Sequence, residues 1–504
     1  MIIHNPILTG MHPDPSICRV GGDFYLVNST FEYFPGIPVY HSTDLIHWEQ
    51  LGHVLSRPEQ LDLPKGAPNC IGIYAPTIRY DNGLFYCVCT NVGDHAHKHG
   101  NFFCTTKDPR EGWSDPVWTD LEGIDPSLYF EDGHMYYTGT DESIYLCEID
   151  PKTGARIGTK QYIWGGSGAN NPEGPHLYHI NGMYYLMIAE GGTESGHMVT
   201  IARSHTITGP YESCPANPVL TNRGTATAIK AVGHADLVED PNGNWWAVCL
   251  CFRPLGYPFT HNLGRETCLV PVTWENGWPV MGENTRVNEA MEVDRPQLPD
   301  RLSGAGYVPC SEVQYDCTAP VLHPSWNTIY CPKQGLIRPG AKGIELCGNG
   351  ITLSEDEEKA CLVRRQEHFA FEFRATILAC PDKEGEEAGL GVYMNERHHY
   401  EAVFGVKNGV RCLYVRRKLG TMICEEHAVP YEGDRVTLWI TGDRDAYHMG
   451  YEDAAGIRTE LGNGECRKLT TECGGCFTGN YLDLYATGIT ATVTECAYSG
   501  NDET

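Results

Sequence analysis

One pattern recurs five times between residues 14 and 246 and leaves this chain few ways to fold. An apolar residue (Ile17, Ile78, Leu128, Leu177, Leu237) is followed five or six residues later by a glycine (Gly22, Gly83, Gly133, Gly182, Gly243). An aromatic pair or near-pair follows each glycine. Such a run spells a strand, a tight turn and a second strand. The five apolar markers are separated by 61, 50, 49 and 60 residues, room for four short strands each. Repeats of that length, with turn glycines and aromatic strands, predict a five-bladed β-propeller.

The first residue of each innermost strand would then lie near the central axis. Asp14 stands between Pro13 and Pro15, and Asp125 precedes Pro126. Glu173 opens Glu173-Gly174-Pro175, and His234 opens the fifth repeat, whereas the second offers Tyr74-Ala75-Pro76. A lone Asp-Pro is ordinary turn chemistry. Three carboxyls and an imidazole at or beside matching positions of a symmetric scaffold point instead to a site on the axis.

With 504 residues the chain exceeds one ordinary core, and 56 glycines and 28 tyrosines suit an all-β protein rich in turns. The repeats place the propeller at residues 1–295. The aperiodic, proline-bearing stretch that follows reads as a linker over 296–308. Beyond it, alternating runs at 361–365, 369–376, 399–406, 410–416 and 435–440 predict a β-sandwich over 309–504.

A net charge of −28 argues against a nucleic-acid partner, and no apolar run is long enough to span a membrane. The opening Met-Ile-Ile-His-Asn-Pro lacks a signal-peptide pattern, so the expected location is cytoplasmic. The 22 cysteines fall short of a disulfide scaffold. Cys87 and Cys89, like Cys249 and Cys251, alternate within apparent strands and read as packing. Cys473-Gly-Gly-Cys476 lacks a second such pair and reads as structural. His95, His97 and His99 stand at alternate positions and read as a solvated loop rather than a metal site.

Two carboxyls facing one pocket can hydrolyse a glycosidic bond, one as general acid and one as general base, with inversion when a water fits between them. A third carboxyl can keep the acid protonated by like-charge repulsion. Asp14, Asp125 and Glu173 meet that three-part demand without dividing the roles. Phe31, Tyr33 and Tyr74 are candidate apolar walls for a sugar ring, and Arg265 a rigid donor fork for hydroxyls.

These residues fall in His12-Pro13-Asp14-Pro15-Ser16, Ser29 to Gly36, Tyr74-Ala75-Pro76, Ile124 to Leu128, Glu173 to Leu177, Gly233-His234-Ala235 and Leu263 to Glu266. Together the motifs resemble glycoside hydrolase family 43, most closely its two-domain β-xylosidase and α-L-arabinofuranosidase branch. The resemblance spans the chain and implies an inverting, exo-acting enzyme that releases a terminal pentose from xylo-oligosaccharides. It matches Asp14 to the general base, Asp125 to the residue that tunes and orients the acid, and Glu173 to the general acid. Phe31 and Arg265 match residues that hold the terminal sugar. His234 matches a central-channel histidine that ligates calcium in some members; no cofactor is otherwise required. Phe477, in Gly474 to Gly479, matches an aromatic that closes the pocket from the sandwich. Relatives that act on xylosides often carry tryptophan where Tyr74 stands, which leaves α-L-arabinofuranosides as the alternative substrate. A phosphorylase would need a cluster of basic residues, and a non-catalytic sugar-binding propeller would not need three converging carboxyls. The expected partner is a small oligosaccharide, with room for a homo-oligomer.

Overall fold

The computed structural model describes all residues except 62, 64–69, 94–98, 305, 307–310, 333, 427 and 503–504. His95 and His97 therefore lie outside the described residues. Five antiparallel sheets follow one another in sequence. The first holds Ser16–Val20, Asp23–Val27, Gly36–Ser42 and Glu49–Leu55. In the second, Gly72–Ile73 and Thr77–Asp81 both pair with Leu84–Val92, which is followed by Gly100–Thr106 and Val117–Trp118. The remaining three are four-stranded, with innermost strands Ile124–Glu131, Glu173–Ile180 and Lys230–Glu239. This is the five-bladed propeller that the repeats predict.

The marker glycines work through backbone geometry. Asn82-Gly83, Asp132-Gly133 and Asn181-Gly182 have φ values of 47 and 85°, 51 and 82°, and 51 and 77°. Two successive residues at positive φ are what the tightest hairpin turns require, because that twist matches the twist of the strands. The ring is closed by the N-terminus. Ile2–His4 pairs with Ala290–Glu292, and the Asn5 side chain exchanges two hydrogen bonds with the backbone of Leu269 in blade five.

A polar hub beneath the site ties the blades together. Asp236 of blade five accepts hydrogen bonds from Ser16 of blade one (2.6 Å) and Tyr178 of blade four (2.6 Å), and from both terminal nitrogens of Arg79 of blade two (2.8 and 3.1 Å). Arg79 also donates to His176, which receives Ser127 of blade three. Burial opposes the charge on Asp236, but Arg79 and these donors hold its carboxyl well below the usual range. Removing one partner of a buried pair strands the other charge, at a cost of about 3–5 kcal/mol. Arg79→Met is accordingly expected to lower the thermal midpoint of the propeller by several degrees, read by calorimetry.

The second half is a β-sandwich. One sheet holds Ala370–Leu378, Arg435–Gly442 and Thr490–Asn501 at its centre; the other holds Ala360–Arg365, Tyr481–Thr487, Glu387–Asn395, His398–Lys407 and Val410–Leu419. The segment after blade five packs along the propeller: Arg295 donates to the carbonyls of Trp245 and Val272, and Gly306 N–H donates to Glu49. No described helix is long and apolar enough to cross a membrane.

Sandwich and propeller meet where the first repeat begins. Tyr33–Phe34 pairs with Thr328–Ile329, Arg365 donates to the carbonyl of Met11 at 2.7 Å, and Tyr33 stacks on Tyr481 with ring centres 3.8 Å apart. A short helix at Thr471–Gly474 and the loop behind it grip the segment ahead of Arg265. Thr471 N–H donates to His261, Asn480 N–H donates to Asn262, and His261 and Glu472 are joined side chain to side chain at 2.7 Å. Gly264 and Gly479 touch so closely that a Cβ on Gly479 would lie 2.3 Å from the Leu263 carbonyl oxygen. The sandwich thus sets the position of Arg265 as well as that of Phe477.

Candidate active site

The inner strands open with a shared distortion. Asp14, Asp125, Gly174 and His234 have φ values of 52, 54, 58 and 47°. In blades three, four and five the register also slips between Ile124 and Ser127, Glu173 and His176, and Gly233 and Asp236. Bulges of this kind re-aim a side chain away from the sheet, and left-handed non-glycine residues are held by surrounding structure at functional sites. Glu173 departs from the symmetry expected of it. Gly174 occupies the place of Asp125 and Asp14, and Glu173 precedes it by one residue. A Cβ on Gly174 would lie 3.0 Å from the His234 ring, so a side chain there would crowd the axis.

Asp14, Phe31, Tyr74, Asp125, Glu173, His234, Arg265 and Phe477 all line one cavity of about 100 Å³, together with Ala75, Ile124 and Thr193. Tyr33 does not join them. It is fully buried against Tyr481, because its strand pairs with the sandwich instead of facing the axis. The walls are aromatic. Phe31 lies 5.1 Å from Tyr74 and 6.0 Å from Phe477, ring centre to ring centre, and the Tyr74 hydroxyl donates to the Cys70 carbonyl. Phe477 is 40% exposed, and its N–H donates to the Cys70 sulfur at 2.8 Å, which fastens the sandwich loop to the propeller. Cys476 is buried against Met394 and Thr478, as a structural cysteine would be.

The three carboxyls differ in their partners, and therefore in protonation. Asp14 accepts from Ser29 Oγ at 2.6 Å and from Arg265 Nη1 at 2.7 Å, with His234 Nδ1 3.9 Å away. Burial works against its charge, but Arg265, His234 and the Ser29 hydrogen bond together hold the carboxyl below its ordinary range. Among the described residues Glu173 has no such donor. Burial, and next the negative charge of Asp14, push its carboxyl up to about 7 against the smaller pull of Arg265. Asp125 is pushed well above the carboxylate range by burial, then by Glu173 and Asp14, although Gly174 N–H donates to it at 3.2 Å. The two buried carboxyls titrate as a pair. An ionised Asp14 and a carboxyl pair that still holds a proton therefore face a single small cavity near neutral pH.

Two residues reach this site from outside the repeated motifs. Thr193 Oγ1 accepts the second hydrogen bond of Arg265 Nη1, at 3.0 Å. Gly191 and Gly192, just ahead of it, form a tight loop with φ values of 91 and 74°. His197, fully buried, places Nε2 3.8 Å from Glu173 Oε1. Arg265, Thr193 and Phe477 also border a larger cavity of about 500 Å³ lined by Phe252, Phe259, His261 and Glu472.

Calcium takes about six to eight oxygen ligands. Around His234 stand the rings of His176 and His197 and two carboxylates, Asp14, already committed to Arg265 and Ser29, and Asp236, committed to Arg79, Ser16 and Tyr178. That donor set does not fit a calcium site built by the protein.

Paired carboxyls of unlike protonation, aromatic walls and a guanidinium in one pocket define a glycosidase site. The family model of glycosyl hydrolases family 43 matches residues 3–279, and that of the β-xylosidase C-terminal concanavalin A-like domain matches residues 314–499. A non-reducing-end α-L-arabinofuranosidase of Bacteroides ovatus is 41% identical over 96% of this chain and 91% of its own length. A xylosidase/arabinosidase of Butyrivibrio fibrisolvens is 35% identical over 96% of each. Among solved structures, the GH43B protein of a Bacteroides ovatus xyloglucan PUL superposes with a TM-score of 0.92 at 39% identity, covering 99% of this chain and 100% of that one. The chain belongs to glycosyl hydrolases family 43 and is a glycoside hydrolase.

Proposed function

We propose that this enzyme removes a terminal pentose from the non-reducing end of xylo-oligosaccharides with inversion, as a β-1,4-xylosidase. The observation that carries the reading is the unlike protonation of Asp14 and Glu173 across one cavity. Asp14, kept ionised by Arg265 and Ser29, takes a proton from the attacking water. Glu173, still protonated up to about pH 7, gives its proton to the leaving oxygen. Asp125 titrates as a pair with Glu173 and orients the acid. Arg265, Phe31 and Tyr74 hold the sugar. No step is routed through a metal, since the donors around His234 do not suit calcium.

The cavity is on the scale of one sugar ring, and Phe477 bounds it on the sandwich side. It opens toward the larger aromatic-lined cavity, where the rest of the oligosaccharide would lie. Among the described residues Arg265 is the only Arg or Lys lining either cavity, and it is already bound to Asp14. A phosphate nucleophile would find no basic cluster, which weighs against a phosphorylase. A second reading, α-L-arabinofuranosidase, draws on the name of the Bacteroides ovatus relative and on the polar tip of Tyr74.

The test is hydrolysis of aryl β-xyloside and aryl α-L-arabinofuranoside side by side, followed by product analysis on xylotetraose. Single xylose units are expected at early times, released with inverted configuration in proton NMR. Internal fragments appearing first, or turnover of the arabinofuranoside alone, would overturn the xylosidase reading.

A further inference from the structure

His197 begins from an unpaired nitrogen. Its Nδ1 lies 3.2 Å from the carbonyl of Ala231, and a carbonyl can only accept, so Nδ1 carries the hydrogen. The ring is fully buried, and burial followed by the nearby His234 holds its pKa down to about 3, so it stays neutral. A neutral imidazole with a hydrogen on Nδ1 has a bare lone pair on Nε2. That atom has no hydrogen-bond partner among the described residues, and Glu173 Oε1 is 3.8 Å away. The charged groups that face the pair are Asp14, Asp125, Arg265 and His234. The ring cannot swing off. A Cβ on Gly233 would already lie 2.4 Å from it, and the Ala231 carbonyl fixes its plane.

Resting on the reading of Glu173 as the general acid, we propose that His197 is a positioning residue that accepts a hydrogen bond from the protonated Glu173 carboxyl and aims it at the leaving oxygen. A lone pair can bond to a carboxylic acid and repels a carboxylate, so the contact selects the reactive protonation state as well as the rotamer. A gap of 3.8 Å closes with a small rotation of the glutamate, and catalytic hydrogen bonds often tighten only once substrate is bound.

The experiment compares His197→Phe, which keeps a ring and loses the acceptor, with His197→Gln, whose carbonyl oxygen can still accept. Both are assayed on xylobiose, whose leaving group needs a proton, and on 2,4-dinitrophenyl xyloside, whose leaving group does not. For His197→Phe the expected loss of kcat/KM is about tenfold or more on xylobiose, a fraction of the full acid contribution of about 10²–10⁴, and under about threefold on the dinitrophenyl substrate. His197→Gln should recover most of the xylobiose activity. Equal losses on both substrates, or a glutamine variant no better than phenylalanine, would overturn the proposal. Should His197→Phe fail to fold, the nitrogen NMR spectrum of histidine-labelled native enzyme decides. Nε2 is expected to be unprotonated and to shift in Glu173→Gln, and a protonated Nε2 overturns the assignment. If Glu173→Gln itself shows no dependence on the leaving group, the acid assignment fails, and that result is distinct from failure at His197.

Discussion

Asp14→Asn and Glu173→Gln are each expected to lower kcat/KM on xylobiose by about 10²–10⁴-fold, the usual contribution of a general acid or base, while the protein stays folded by circular dichroism. The two losses should part company when the leaving group changes. A dinitrophenolate departs without a proton, so it should restore much of the activity of Glu173→Gln and none of that of Asp14→Asn, because water must still be activated. The native pH profile supplies a second check. Glu173 has a raised pKa, so it is protonated below about pH 7 and loses its proton above it, and kcat/KM should fall on that side. Asp14 has a lowered pKa, so it is ionised across the whole neutral range, and the acidic limb should lie below that of an ordinary aspartate. A loss under about tenfold in either variant would remove that residue from the chemistry.

The repeats make the propeller legible because each blade must solve the same local problem, and the tight turn leaves Asn-Gly or Asp-Gly in four blades and Gly21-Gly22 in the first. The candidate site was legible for a related reason. Blade starts converge on the axis, so Asp14, Asp125, Glu173 and His234 meet although up to 220 residues separate them. What repetition does not encode was harder to read. Tyr33 looks like a wall residue within its motif, yet Thr328 and Ile329 claim its strand from the other half of the chain. Glu173 looks equivalent to Asp125, yet the bulge places Gly174 there and leaves the glutamate one step back. Asp236 is two residues past His234, but nothing near it in sequence names Arg79 as its partner. His197 belongs to the third strand side of blade four and gains its meaning only from the Ala231 carbonyl of the next blade.

Asp125→Asn is expected to move the basic limb of the kcat/KM profile to lower pH and to cut activity at neutral pH by about 10–10²-fold. Asp125 and Glu173 are coupled, so the proton that matters leaves the pair at the higher of two shared steps. An asparagine removes one negative charge from that pair and leaves a single carboxyl to titrate. Glu173 then releases its proton at a pH below the upper step of the native pair, each unit being worth about 1.4 kcal/mol. The shift requires Asp125 to be the ionised partner when Glu173 holds the proton; an Asp125 that keeps its own proton is already neutral, and asparagine would then leave the limb in place. Burial and the charge of Asp14 remain, so the pKa of Glu173 should stay above that of an ordinary glutamate. Asp125 also accepts the Gly174 N–H beside the acid. Losing the carboxylate loosens that hold, and part of the loss should persist at the new optimum. A uniformly slower enzyme with an unmoved basic limb would show that Asp125 acts by position alone.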